Sequence, residues 1–398
     1  MRLGKRAIFW CGTATLLAGI ATGCGNFWQA PSTTTTCTTN CTTASSGNFY
    51  ILNGGTTPQV VGESIVTGTL TAISGSPWAL QATPYAMAID PAGNFLIVST
   101  TSGVFAYPID NGVLGTAVVV SSDQAYAVQV DTTSSWLIEA IPGTSGVTIG
   151  AIPINSTTGA SNGTEQTASF NVANTSVQNK MAISGDDSYV FVPLGAGGTI
   201  VVPFNASVTA GSNPLGSKAT TIPVASASGS ALSVAVDTGT SPRVFYVGET
   251  LAGTSGTTGG LRVFNYSSLT STLTQATGSP IASGGLAPNA ILPAASGSYV
   301  YVANGQGTAS AGNVTGFTFT SSGTTTITYT VALDTTTAAG VQPASLTEDS
   351  TSTFVIAVGA GGSPYFDAYT FDATTLGQLD SELASSTAVS SIAVVSGP

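Results

Sequence analysis

The stretch Gly297-Ser-Tyr-Val-Tyr-Val-Ala-Asn-Gly305 has echoes along this 398-residue chain: "GNFLIVST" from Gly93, "DSYVFVPLG" from Asp187 and "GNFYILNGG" from Gly47. Aromatic and β-branched residues in alternation read as a β-strand. Tyr299 and Tyr301 fall on one face, Val300 and Val302 on the other. A strand written repeatedly announces a repeat architecture, and the spacing decides which one. Pro84, Pro288 and Pro343 each precede an aromatic residue by 11 positions, at Phe95, Tyr299 and Phe354. Between proline and aromatic lie an apolar strand and a turn of Asp, Pro, Gly or Ser. Ala125 to Trp136 and Gln178 to Tyr189 keep the 11-residue step without the proline, and the run from Ala231 repeats it with a longer turn.

A third strand follows each pair, at 103–109, 147–154, 199–204, 261–266, 314–319 and 366–371. A fourth, less regular strand leads into the next unit. Leu70-Thr-Ala-Ile-Ser-Gly-Ser-Pro77 and Leu273-Thr-Gln-Ala-Thr-Gly-Ser-Pro280 agree there in residues and spacing. Four short antiparallel strands recurring every roughly 40–55 residues describe a β-propeller blade. Six units are complete. The N-terminal part from Gly47 to Pro77 lacks only a first strand, and Ser390 to Pro398 resembles only a first strand. Joined, they make a seventh blade that closes the ring and removes its free edges. The expectation is an all-β, seven-bladed propeller over 47–398. In its Pro-x-x-apolar-x-apolar-Asp-Pro-x-Gly-x-aromatic pattern, its "YVYVAN" strand and its Gly-Ser-Pro turns, the chain resembles the seven-bladed lactonase-like and YVTN-repeat propellers.

Composition agrees with strands rather than helices: 48 Gly, 19 Pro, 42% hydrophobic and 6% charged residues, against roughly 25% charged in an average domain. Arg2, Lys5 and Arg6 precede the apolar run 7–22, which ends in Ala21-Thr22-Gly23-Cys24. That is the pattern of a secretory signal peptide over 1–23. The Cys makes it resemble a bacterial lipoprotein signal, which implies lipidation of Cys24, a membrane anchor and a place in the cell envelope. Residues 24–46 read as a Thr/Ser-rich tether. Within it Cys37 and Cys41 suit a local disulfide better than a metal site, since the chain has no His to complete one. Beyond residue 23, only Lys180, Lys218, Arg243 and Arg262 face 18 carboxylates, a balance of −14. Nucleic acid is thereby excluded as a partner, because phosphate binding needs a basic face. A monomer without cofactor is expected.

In a propeller the first strand of each blade lines the central channel. The residues before it share a rim with those after the second strand. On this reasoning the candidate rim holds Tyr85, Tyr126, Asn179, Lys180 and Asn289, joined by Glu139, Glu249, Asn304 and Gln306. Amides and aromatics beside charged groups suit a small polar ligand or a carbohydrate. Lys180 and Glu139 read as an ion pair between adjacent blades. Asp90, Asp131, Asp186, Asp187 and Asp237 fall on the opposite face, as caps of turns. The adjacent acidic pairs Asp186-Asp187 and Glu348-Asp349 likewise read as turns, so no metal is assigned. Hydrolytic members of the lactonase-like class use His, Arg and acidic residues in the channel. With no His, a His-based acid–base step is excluded. Gly159-Ala-Ser-Asn-Gly163 matches a nucleophile elbow only in letters, lying in a loop of an all-β chain. The leading reading is a lipid-anchored binding or scaffold module whose partner is a small ligand, a carbohydrate or an envelope protein. The alternatives are a His-free lactonase-like hydrolase using Glu139 and a metal, and a carbohydrate-binding surface module.

Overall fold

The computed structural model describes residues 46–397, apart from 67–68, 210, 238–242, 254–255, 295–297, 307–311, 322–326, 332–340, 362–365, 372–376 and 385–389. The expected signal peptide, lipidation at Cys24, tether and Cys37–Cys41 disulfide therefore fall outside the described residues.

Seven antiparallel sheets are present, six of them running outward in chain order from an inner strand. The inner strands are Pro84–Ile89 (blade 1), Ala127–Val130 (blade 2), Ala182–Ile183 (blade 3), Ala231–Asp237 (blade 4), Leu286–Pro293 (blade 5), Val341–Glu348 (blade 6) and Ser391–Ser396 (blade 7). Blade 7 joins both ends of the chain. Its inner strand pairs antiparallel with Ser46–Asn53, with Ile51 opposite Val394, and Ser391 Oγ donates to Asn53 Oδ1 at 2.9 Å. The expected closure is what the chain forms.

The core is divided among seven apolar clusters, each shared by two neighbouring blades, so that every interface round the ring is filled. The alternation of the opening strand explains how. Tyr301 packs toward blade 6 with Leu346, Val355 and Tyr369, and Tyr299 flanks that cluster. Val300 and Val302 pack toward blade 4 with Tyr246 and Val263. Each such side chain, removed from water, contributes roughly 1.5–3 kcal/mol.

The turns between first and second strands form one face. Asp90, Asp131 and Asp349 each accept, on Oδ1, the N–H of the aromatic five residues on: Phe95 at 2.8 Å, Trp136 at 2.6 Å and Phe354 at 2.6 Å. Ser184 Oγ replaces the carboxylate in blade 3, accepting from Tyr189 N at 2.9 Å. These caps also stitch blades together, since Ser134 Oγ donates to Asp90 Oδ2 at 3.2 Å and Thr132 N to Asp187 Oδ1 at 3.1 Å. Arg243 pairs with Asp186 on this same face. The two Gly-Ser-Pro turns adopt one conformation. Gly75 and Gly278 both have φ of 84°, and Ser76 Oγ and Ser279 Oγ accept from Gly62 N and Val263 N in the neighbouring third strands.

Candidate functional site

At the mouth of the channel, five of the seven inner strands begin with the same irregularity. In blades 1, 4, 5, 6 and 7 one residue bulges out of the pairing with the second strand: Tyr85, Leu232, Asn289, Ala344 and Ile392. Tyr126 and Asn179 hold the matching places in blades 2 and 3. All seven retain exposure while their neighbours in the strand are largely buried. A bulge re-aims a side chain, and here it aims five of them at the channel mouth, with Tyr126 and Asn179 at the matching places. The ring is uneven. Tyr85 and Tyr126, from adjacent blades, stack at 4.4 Å between ring centroids with 28° between planes. Asn179 follows, exposed, and Leu232, Ala344 and Ile392 make the other side apolar. Asn289 Nδ2 donates to Pro343 O of the next blade at 2.9 Å.

One residue deeper, the register gives a second ring of Ala86, Ala127, Ser233, Ala290, Ser345 and Ala393, and Lys180, two residues before the inner strand of blade 3, holds the matching place there. Six members are small and buried. Lys180 alone is long, and its Nζ donates to Ser345 Oγ at 3.1 Å. Ser345 belongs to blade 6 and Lys180 to blade 3, three blades away by the shorter route, so the side chain crosses the throat of the channel. The amine is surrounded by protein while part of the side chain stays open to solvent. Burial pushes its pKa down to about 8. The ion pairs among the described residues are Arg243–Asp186 and Arg262–Glu249, so Lys180 has a hydroxyl rather than a carboxylate for a partner.

Tyr85, Tyr126, Asn179, Lys180 and Asn289 thus gather at the mouth. The remaining rim candidates do not join them. Glu139 lies within the second strand of blade 2, on the side facing blade 1, with 0% exposure; its partner is Ser121 Oγ at 3.3 Å, not Lys180. Strand alternation is the reason. Three residues after Trp136, a side chain points between blades, not along the channel. Glu249 is 2% exposed and bound by Arg262 at 2.8 Å and by Ala225 N at 2.9 Å. Arg262 also donates to Pro223 O and Gln275 Oε1 and lies 4.9 Å over the Phe264 ring. Asn304, fully buried, donates to Ser283 O and Asn313 Oδ1 and accepts from Ser283 Oγ. Both Glu249 and Asn304 face the third strand of their own blade, opposite Gly260 and Asn313, and tie it to the loop above. Gln306 ends its strand opposite Leu286, and its side chain is outside the described ones.

Sequence reasoning missed Ser345 and the apolar half of the ring. The signal was there: Ser345 stands two residues after Pro343, as Lys180 stands two after Gln178. It also missed Asp123 and Glu165, whose carboxylates meet that of Glu139.

Chemically, the mouth offers a cation whose pKa burial has lowered, a flat aromatic pair and two amides. No protein-family model and no curated protein sequence matches the chain. Solved structures do. A periplasmic gluconolactonase of Pseudomonas aeruginosa superposes with a TM-score of 0.66 at 15% identity, over 88% of this chain and 99% of that one. A Lactobacillus plantarum protein gives 0.65 at 17% identity, and a provisionally assigned 6-phosphogluconolactonase of Bacteroides uniformis 0.64 at 16%, each with the same coverage of 88% and 99%. The chain has the seven-bladed β-propeller fold of the lactonase-like proteins.

Proposed function

We propose that this propeller is a binding module for a small hydroxylated anion of the sugar-acid class, held at the channel mouth. The observation that carries the reading is Lys180, a charge without a carboxylate partner set among six Ala and Ser residues at the throat. A desolvated cation bonded only to a hydroxyl favours an incoming carboxylate or phosphate, which supplies the missing counter-charge. The Tyr85–Tyr126 pair presents an aromatic face to the apolar side of a polyol, and Asn179 brings an amide for its hydroxyls. The resemblance of residues 1–24 to a lipoprotein signal supports, on the same proposal, a place at the cell envelope through Cys24.

Calorimetric titration of the full chain at pH 7 with gluconate and with glucose tests this. Gluconate should bind at least tenfold more tightly than glucose, since a charge-assisted hydrogen bond is worth about 1.5–3 kcal/mol. Lys180→Met should remove the difference. Equal binding of both sugars, or of neither, overturns the reading. Cys24→Ser should release the protein from the membrane fraction, and unchanged association contradicts the anchor.

The shared fold with a gluconolactonase supports a second reading, hydrolysis of a sugar lactone. Glu139 cannot serve it from its buried place between blades, which leaves Lys180 as the titrating group at the mouth. Turnover of glucono-1,5-lactone above the spontaneous rate, lost in Lys180→Met, would replace binding with hydrolysis. Retention on neutral polysaccharides that falls with Tyr126→Ala would favour the carbohydrate-binding alternative.

A further inference from the structure

Glu139 breaks a rule that its six counterparts obey. The same register position holds Val98, Val192, Val247, Val302, Ala357 and Ile51, all buried in the interfaces between blades. In blade 2 alone a carboxylate takes that place, with no exposure, and its Oε2 has no hydrogen-bond partner. A buried ionised carboxylate without a partner is very costly, so something must compensate it.

The cations of the described chain do not. Arg243 and Arg262 pair with Asp186 and Glu249, Lys180 reaches Ser345, and Lys218 is exposed at the surface. What surrounds Glu139 is more negative charge. Carboxylate oxygens of Asp123, Glu139 and Glu165 all lie within 4.8 Å of one another, and Glu165 Oε1 is also buried without a partner. Space has been left for the cluster. Gly150, opposite Glu139 in the third strand, could not carry a Cβ without meeting Glu139 Cγ at 2.9 Å and the Glu165 carboxylate. Ser121 Oγ adds a neutral oxygen at 3.3 Å from Glu139 Oε1. Burial and mutual repulsion raise the pKa values of Glu139 and Glu165, as expected where a positive charge is wanting.

We propose that Asp123, Glu139 and Glu165 form a site for a hard divalent cation of the Ca²⁺ class, set between blades 1 and 2. Oxygen is the only donor offered, which excludes a thiolate or imidazole type of metal site. Oxygens up to 4.8 Å apart suit Ca²⁺, which takes ligands at about 2.3–2.6 Å, better than the tight octahedron of Mg²⁺ at about 2.0–2.1 Å. The three ligands come from different segments. Asp123 follows the outer strand Val118–Ser121 of blade 1, Glu139 is in the second strand of blade 2, and Glu165 immediately precedes that blade's outer strand, Gln166–Asn171. A cation here staples the two blades and fixes the connection 122–126 that delivers Tyr126 to the channel mouth.

The test uses the full chain, stripped with chelator and titrated with Tb³⁺, whose luminescence reports binding, and then with Ca²⁺ in competition. One Tb³⁺ per chain, displaced by Ca²⁺, is expected, with a rise in Tm when Ca²⁺ is added. Glu139→Val installs the residue that blades 1, 3, 4 and 5 use at this position and should abolish binding while leaving the metal-free protein folded. Should that variant fail to fold, Asp123→Asn in the surface connection should weaken binding at least tenfold. Absence of saturable Tb³⁺ or Ca²⁺ binding to the unaltered chain overturns the proposal and leaves a proton shared by the carboxylates as the compensating charge. Unchanged stoichiometry and affinity in Glu139→Val, or in Asp123→Asn, also overturns it.

Discussion

Replacing Arg262 by Met isolates what a buried ion pair does in this ring. Arg262 joins the second and third strands of blade 4 and gives up four things on substitution: its bonds to Glu249, to Pro223 O and to Gln275 Oε1, and its stacking on Phe264. Met fills most of the volume, so packing loss is small. The main cost is Glu249, still 2% exposed and left with the Ala225 N–H as its remaining partner. Removing one partner of a buried pair costs about 3–5 kcal/mol. With an unfolding entropy of about 2.1 cal/mol/K per residue over roughly 350 residues, that is a fall in Tm of about 4–7 °C. Scanning calorimetry measures it, provided calorimetric and van't Hoff enthalpies agree. The double variant Arg262→Met/Glu249→Leu is the sharper test. With both charges gone nothing is left uncompensated, so the double variant should be more stable than the Arg262→Met single and lie within about 2 kcal/mol of the parent. A double variant less stable than the single would refute the idea that stranded charge, more than lost contact, is what destabilises Arg262→Met.

Three further outcomes follow from named groups. Burial holds the folded-state pKa of Lys180 at about 8 against the ordinary 10.5. The unfolded chain therefore binds more protons between these values, and the parent should gain stability relative to Lys180→Met as pH rises from about 8 to 10.5, read from denaturant midpoints. Glu139 runs the other way. Burial first, then the charges of Glu165 and Asp123, raise its pKa to about 8 from 4.5. In metal-free protein its contribution is full below about pH 4.5 and is lost as pH climbs through about 8; Glu139→Val should flatten that slope. Asp131→Ala removes the acceptor shared by the Ser135 and Trp136 N–H groups, at 2.7 and 2.6 Å, and should cost about 1–3 kcal/mol in an equilibrium denaturation.

The fold was legible because a propeller states its rule many times. The 11-residue step from Pro84, Pro288 and Pro343 survives loss of the proline at Ala125 and Gln178, and the structure places the three prolines in one register. Closure was legible too, since the N-terminal unit lacked the one strand that Ser391–Ser396 supplies. The site was legible only in part. Residues before the first strands were placed by the repeat, and Tyr85, Tyr126, Asn179, Lys180 and Asn289 do stand at the mouth. Residues after the second strands were placed by where each apolar run stopped, a poor guide to which way a side chain points. Glu139 lies inside its strand, so alternation sends it between blades. Glu249 and Asn304 stand at or near their strands' ends but face the third strand. Asp123 and Glu165 sit in connections of unequal length, where the repeat carries no register at all.

Both candidate sites share a form that a single blade would not reveal. Lys180 is the one long residue in a ring of Ala and Ser, and Glu139 the one charge in a ring of Val, Ala and Ile. Seven near-copies of one unit bury the same positions in the same way, so packing alone accounts for a small or apolar residue there. It does not account for an amine in the throat or a carboxylate between blades, each of which loses hydration that a valine or an alanine would not. Such a residue destabilises the repeat unless a counter-charge offsets it, and at neither place do the described residues provide one of opposite sign. The departures from the repeat, of opposite charge and in separate places, are therefore what the two proposals rest on: an anion at Lys180 and a cation at Glu139.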